Sequence, residues 1–139
     1  MTSIELTEFS RLQEEILSIR FDVFVKEQGV DPSLEIDGRD SECLHAVATV
    51  VGGKAVGTGR LLPNGHIGRM AVLPAFRSHG VGSAILRALI EAAKNRGHRQ
   101  IVLSSQVHAK HFYERFGFQA QGDPYFEAGI EHVHMHLKL

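Results

Sequence analysis

The residues best suited to chemistry lie together in mid-chain, in Arg77-Ser78-His79-Gly80-Val81-Gly82. Gly80 and Gly82 lack the Cβ atoms that would keep a bulky group off the main chain. A helix starting here aims N–H groups without intrahelical partners, and the positive end of its dipole, at whatever rests on the loop. Arg77 adds a cation at the rim. Such a loop suits an anion, and a diphosphate in particular. It is not a Walker P-loop, since no Gly-Lys-Ser/Thr ending is present, and the first glycine of a dinucleotide fingerprint is missing. A glycine-softened turn with a surface arginine has the same composition, so the loop alone leaves both readings open.

The flanking segments define what holds this loop. Ile67 to Leu73 is an apolar run of strand length, stopped by Pro74, which has no N–H for a ladder. Beyond the loop, Val81, Ala84, Ile85, Ala88, Leu89, Ala92 and Ala93 recur at three- and four-residue steps, the spacing of an amphipathic helix. Gly97 stands where a left-handed C-terminal cap is wanted. The unit is strand, glycine loop, helix.

Other segments supply a sheet and two further helices. Ser3 to Thr7 reads as a short edge strand. Phe9, Leu12, Ile16, Ile19 and Val23 make one helical face that runs on to about Gly29, with Ser10-x-x-Gln13 as a capping box. Leu44 to Val51, the Gly52-Gly53 turn and Ala55 to Leu62 read as a hairpin. Gln100 to Ser104 is a buried-strand candidate, Ala109 to Phe116 a short helix, and Phe118 onward another strand. From Glu131 apolar Val133, Met135, Leu137 and Leu139 alternate with His132, His134, His136 and Lys138, a half-exposed strand. The class is α/β or α+β, one domain over residues 1–139, with a mostly antiparallel mixed sheet flanked by helices.

Composition narrows the partners. A net charge of −1 without a basic tract points away from nucleic acid and anionic membrane. The apolar runs are far shorter than a membrane span, and the first residues do not form a signal peptide. Cys43 is the one cysteine, which excludes an internal disulfide and fits a reducing compartment. A cytoplasmic monomer or homodimer is expected.

Taken with Met70-Ala71-Val72-Leu73-Pro74 upstream, the loop resembles the R/Q-x-x-G-x-G/A element of the GNAT superfamily of acyl-CoA-dependent N-acyltransferases. Ala109-Lys110-His111-Phe112-Tyr113-Glu114-Arg115-Phe116-Gly117-Phe118 resembles that family's A-x-x-F-Y-x-x-x-G-F element. Arg20-x-x-Val23-Phe24-Val25-x-Glu27-Gln28, Glu35-x-Asp37, Leu44-His45 and Gly129-Ile130-Glu131-His132 are similar to the ElaA/YjcF-like group within it. The resemblance covers nearly the whole chain. It implies a GNAT fold whose fourth and fifth strands splay around acetyl-CoA. It also implies diphosphate contacts from Arg77, Ser78, His79, Gly80, Val81 and Gly82, and strand-like contacts from Met70, Ala71 and Val72 to the pantetheine. Gln106 stands where many members have Asn, at a cofactor contact. Tyr113 is implied as the acid that protonates the departing thiolate.

Acetyl transfer to a small-molecule primary amine needs a base, since an alkylamine is mostly ammonium at neutral pH. Glu27 and His132, within the family-like motifs, are the first candidates. Glu35, Asp37 and His45 are the others. Rival readings are an aminosugar-phosphate N-acetyltransferase, which needs a second cation from Arg20, Arg60 or Arg69, and a non-catalytic acyl-CoA-binding module, which has no use for Tyr113. Cys43 reads as a small core residue. Alternate histidines on the last strand invite zinc, but a structural site takes four ligands and no Cys-x-x-Cys or His-x-x-x-His accompanies them. Untagged protein is therefore expected to keep less than about one zinc per chain after dialysis. Stoichiometric zinc that disappears in His134→Ala would overturn this reading.

Overall fold

The alternating and β-branched segments become seven strands of one sheet in a computed structural model that describes residues 2–139. They are β1 (Thr2–Glu8), β2 (Leu44–Val50), β3 (Ala55–Leu61), β4 (His66–Val72), β5 (Gln100–Gln106), β6 (Gln119–Glu127) and β7 (Ile130–Lys138), in spatial order β1-β2-β3-β4-β5-β7-β6. Every neighbouring pair is antiparallel except β4 and β5. Those two pair in parallel at His66 with Val102 and Ile67 with Leu103 only. Beyond Ile67 they part, so the edge of Gly68 to Val72 that faces β5 carries no ladder. The expected single α/β domain with a mostly antiparallel mixed sheet is the observed one.

Helix α3 (Val81–Asn95) covers the back of the sheet with Val81, Ile85, Leu86, Leu89, Ala92 and Ala93 buried. Gly57 and Gly59 on β3 let it come close. A Cβ at Gly57 would stand 2.8 Å from Ile85 Cδ1, and one at Gly59 would stand 3.0 Å from both Ile85 Cγ2 and Leu89 Cδ1. The back-face core continues through α4 (Lys110–Glu114), where Tyr113 joins Phe118, Val133 and Met135.

The front face is covered over β3 and β4 by α1 (Gln13–Arg20), whose Ile19 packs with Val23 against Ala71. Two features of this helix differ from the sequence expectation. Phe9–Leu12 is wound as a 3-10 turn, and Ser10 Oγ donates to Glu8 Oε1 instead of capping the helix, so the capping box does not form. Phe21–Glu27 continues as a π-helix, closed by Gln28 N–H donating to Val23 O at 3.1 Å. Val23, one turn on from Ile19, stays on the sheet-facing side. No helix among the described residues is long and apolar enough to cross a membrane.

Charge fixes the acidic loop that follows. Arg20 is 0% exposed and donates from Nε to Glu35 Oε1 at 2.6 Å and from Nη1 to Asp40 Oδ1 at 2.7 Å. Arg60 on β3 donates to the same Asp40 oxygen at 2.9 Å and to Asp37 Oδ1 at 3.0 Å. These pairs draw the short helix α2 (Pro32–Glu35) and the 3-10 turn Asp40–Glu42 onto the front of the sheet. The Nε2–H of His45 donates to Asp40 O at 3.0 Å, and Phe9 packs on its ring. Burial alone would raise the pKa of Asp40, but the Arg20 and Arg60 guanidiniums outweigh it and hold the group below its ordinary value. Arg60 does the same, more strongly, to Asp37.

Removing one partner from a buried pair leaves the other charge uncompensated, so Asp40→Asn should cost about 3–5 kcal/mol in urea unfolding. Both carboxylates titrate lower folded than unfolded. Their contribution is complete above the ordinary carboxylate pKa, ~3.9, and is lost as pH falls through the depressed folded values. Asp37→Asn should accordingly flatten the decline in stability below about pH 4. An unchanged slope would show that the Asp37 pair does not drive acid unfolding.

Candidate active site

The parting of β4 and β5 leaves a cleft with α3 and α4 on one side and the front-face loop on the other. At one end lies a cavity of about 420 Å³ bounded by Val72, Arg77, Ser78, Gly80, Val81, Gly82, Ser83, Phe112 and Arg115. Gly80 is the N-cap of α3 at φ +80°, and no side chain caps the helix. The first intrahelical bond runs from Ala84 N–H to Gly80 O, so the N–H groups of Val81, Gly82 and Ser83 have no partner within the helix. Ser78 also takes a positive φ, +66°, which turns successive amides of the loop. The two glycines serve different ends. Gly80 is needed for its left-handed backbone, with open space where a Cβ would be, whereas a Cβ on Gly82 would enter the gap between Phe112 and Val72 at 3.5 to 3.8 Å. These features fit a diphosphate.

Arg77 stands at the rim as a fixed cation, but its charge is already met. Its Nε donates to Val72 O at 2.9 Å, and its two Nη atoms make a two-bond ion pair with Glu27, each at 2.6 Å. The Arg77 guanidinium holds the Glu27 carboxylate below its usual pKa, opposite to what a base for an ammonium proton requires. Glu27 is thus tied to the loop instead of facing an amine. The cation that lines the cavity without an ion-pair partner among the described residues is Arg115, three residues from the motif tyrosine's neighbour Phe112 and lying over its ring. Sequence reasoning passed over it because a lone arginine in a short helix has no spacing signal.

The strand residues divide between the two faces. Opposite Gly59 alone stand both Arg69 and Met70, a β-bulge, with Arg69 at φ +50°. Met70 turns into the back-face core beside Gly59, Ala71 is buried against Ile19 and Val23 in front, and Val72 lines the cavity. His79 is exposed on the loop outside the cavity lining.

Tyr113 sits where α4 closes the cleft. Its ring is edge-on to Phe112 and Phe118, and burial pushes its pKa up to about 12. The hydroxyl has no hydrogen-bond partner among the described residues and is not among the fully enclosed unpartnered polar atoms, so it keeps some contact with solvent. At the end of β5, Gln106 exchanges two hydrogen bonds with Gln28, at 2.8 and 3.3 Å, and accepts from His108 Nε2–H at 2.6 Å. It bridges the sheet to the end of the π-helix.

His132 lies opposite Gln106 in the β5–β7 register. The alternation of β7 predicts a solvated histidine face, but His132 is only 7% exposed because Tyr125 of β6 stacks on it. Its Nδ1–H donates to Ile130 O at 2.7 Å. In the neutral ring that leaves the lone pair on Nε2, 3.8 Å from a Glu127 carboxylate oxygen. Glu35 and His45 are committed to the Arg20–Asp40 cluster, and Asp37 to Arg60. Cys43 is buried beside the same cluster, where burial raises its thiol pKa. Among the described residues no group of three or more His, Cys, Asp or Glu is placed to hold a metal ion.

Comparison with known proteins places this geometry. The family model described as an acetyltransferase (GNAT) domain matches residues 10–139. The Bacillus subtilis protein named uncharacterized N-acetyltransferase YjcF is 39% identical over 121 residues, 84% of this chain and 86% of that one. A crystal structure from Lactobacillus plantarum superposes with a TM-score of 0.91 at 30% identity, covering 99% and 98% of the two chains. That of Escherichia coli ElaA gives 0.86 at 27% identity over 98% and 99%. The chain belongs to the GNAT family of acetyltransferases.

Proposed function

We propose that the protein transfers an acetyl group from acetyl-CoA to a primary amine of a small molecule, by direct attack within a ternary complex. The observation that carries this reading is the uncapped N-terminus of α3, opening onto the cleft between the parted strands, with the unpartnered Tyr113 hydroxyl on α4 of the same wall. Main-chain N–H groups of residues 78–83 would hold the diphosphate, with Arg115 as the nearby free cation. The unladdered edge of β4 up to Val72 would take the pantetheine as a strand takes its neighbour, with Met70 and Ala71 holding that edge in place. A main-chain N–H there would also receive the oxyanion of the tetrahedral intermediate.

The amine nitrogen bonds to the thioester carbon and the carbon–sulfur bond breaks. One amine proton goes to a base and one proton reaches the sulfur. His132 suits the first role, since its Nε2 lone pair is held in place by the Nδ1–H bond to Ile130 O, and Glu127 stands ready to stabilise the imidazolium. Glu27, locked to Arg77, instead orients the loop. Tyr113 suits the second role. Its raised pKa keeps it protonated at neutral pH. The same exclusion of water raises the proton affinity of a thiolate beside it, so burial does not by itself weaken the donation.

Gly82→Val should abolish the rise in melting temperature that acetyl-CoA gives, while most of the apo fold is kept. Equal shifts in variant and parent would remove the loop from the site. Tyr113→Phe deletes one hydroxyl and should lower turnover by ~10²–10⁴, with acetyl-CoA affinity within a few-fold of the parent. Loss of affinity along with turnover would make Tyr113 a packing residue. Undiminished turnover and undiminished pre-steady-state thiol release would refute the acid role and favour proton delivery by water. A protein that binds acetyl-CoA but releases no thiol with any amine would be a binding module.

A further inference from the structure

Three arginines meet on the front of the sheet, and they are not equivalent. Arg20 and Arg60 are buried and bonded to carboxylates at 2.6 to 3.0 Å. Arg69 differs. Its Nε and Nη2 both donate to the main-chain Glu35 O, at 3.2 and 3.1 Å, while the carboxylates of Glu35 and Asp37 stay 3.6 and 3.5 Å away. A guanidinium is planar, so bonding along its Nε–Nη2 side leaves the end formed by Nη1 and the outer Nη2–H for another acceptor. Nη1 meets no acceptor among the described residues. It is also absent from the enclosed unpartnered atoms, which are Arg60 Nε and His136 Nδ1, so it reaches solvent. The side chain as a whole is 27% exposed.

Its position is as unusual as its bonding. The β-bulge turns Gly68 and Arg69 to the front together, and Arg69 accepts a left-handed φ that a non-glycine residue takes only when its surroundings impose it. Arg69 follows Ile67, the last β4 residue paired with β5, by two positions, and lies near the start of the unladdered strand edge proposed for pantetheine. Beyond the opening, on the same face, lie Gln106 and His132. Burial, and then the neighbouring Arg60, hold its pKa below the usual arginine value, so the cation is incompletely compensated where it stands.

We propose that the acceptor amine bears a carboxylate, and that Arg69 receives it through its free guanidinium end beside the parting of β4 and β5. This rests on the acetyltransferase reading above and names the class of its second substrate. Two parallel N–H groups match the fork of a carboxylate. A phosphate dianion fits less well, because Glu35 and Asp37 stand within 4 Å of the same guanidinium and would repel the second charge. Neither Arg20 nor Arg60 has a comparable free end for it.

The test uses matched acceptors: glycine, β-alanine, 4-aminobutyrate and 5-aminovalerate, the amide of each, and aminoalkylphosphonates of equal length, with thiol release from acetyl-CoA as readout. The best acid should exceed its own amide by at least about 10-fold in kcat/KM, the scale of one charge-assisted hydrogen bond, mostly through KM. It should also exceed the phosphonate. Arg69→Gln should bring the acid-to-amide ratio to about one, and Arg69→Lys should restore part of it. An unchanged acetyl-CoA thermal shift in both variants separates this from misfolding. An amide accepted as well as its acid, or a preference that survives Arg69→Gln, would overturn the proposal while leaving acetyl transfer intact. A phosphonate preferred to its acid would overturn the carboxylate assignment. If no amine is acetylated, saturation-transfer NMR of the same acids on CoA-loaded protein decides: binding lost in Arg69→Gln upholds the carboxylate site without the transfer reaction, and no binding overturns both.

Discussion

A guanidinium without access to water must be met by carboxylates, and much of this structure follows from satisfying that demand at Arg20. The residue lies at the end of α1, facing the sheet, where desolvation of an unpaired cation would cost several kcal/mol. Asp40 and Glu35 neutralise it, and Asp40 is shared with Arg60 on β3. One carboxylate thereby fastens a helix, a loop and a strand at a single point. The loop between α1 and β2 has little apolar content to hold it down, and charge does the holding. Because the geometry of a buried ion pair is narrow, the path of residues 31–43 over the front of the sheet is narrow too. The exposed end of Arg69 is a by-product of the same arrangement, since Glu35 turns its main-chain oxygen toward that side chain.

The back of the sheet obeys a different rule. There α3 lies directly on β3 because Gly57 and Gly59 leave no side chains between them, and the helix N-terminus is carried to the mouth of the parted strands. The position of the N–H groups of residues 81–83 is therefore set by packing that has no contact with any ligand. Front and back meet only at the parting itself, where Val72, Phe112 and Tyr113 from one side face Gln28, Gln106 and His132 from the other.

What the sequence discloses and what it hides follow the range of the interactions. The face of α3 is a local pattern and is present in the fold, whereas the alternation of β7 holds at Val133, His134 and Met135 but not at His132. The glycine loop was legible because its spacing from Ala71-Val72 and from the tyrosine motif resembles a family. The cap at Ser10 was misread because a 3-10 turn displaced the helix start, and nothing in four residues reports that. The π-helical winding of Phe21–Glu27 has no local spacing signal either. In the sequence Glu27 and Arg77 have separate tasks, and the fifty residues between them conceal that they occupy one another. His132 was placed in solvent because its strand alternates. Its burial depends on a stacking partner, Tyr125, from a strand whose register interrupts between Gln121 and Tyr125.

Two adjacent residues at the end of the π-helix reach across to opposite banks of the cleft. Glu27 holds the phosphate loop by charge, with both partners 39% exposed, whereas Gln28 holds β5 by an exchange of neutral amides. An exposed ion pair is screened as ionic strength rises, while a neutral amide pair carries no net charge for salt to screen. The two attachments therefore answer to different variables. In dilute buffer both banks are tethered to one short segment. In concentrated electrolyte the Glu27 attachment weakens while the Gln28 attachment keeps its strength.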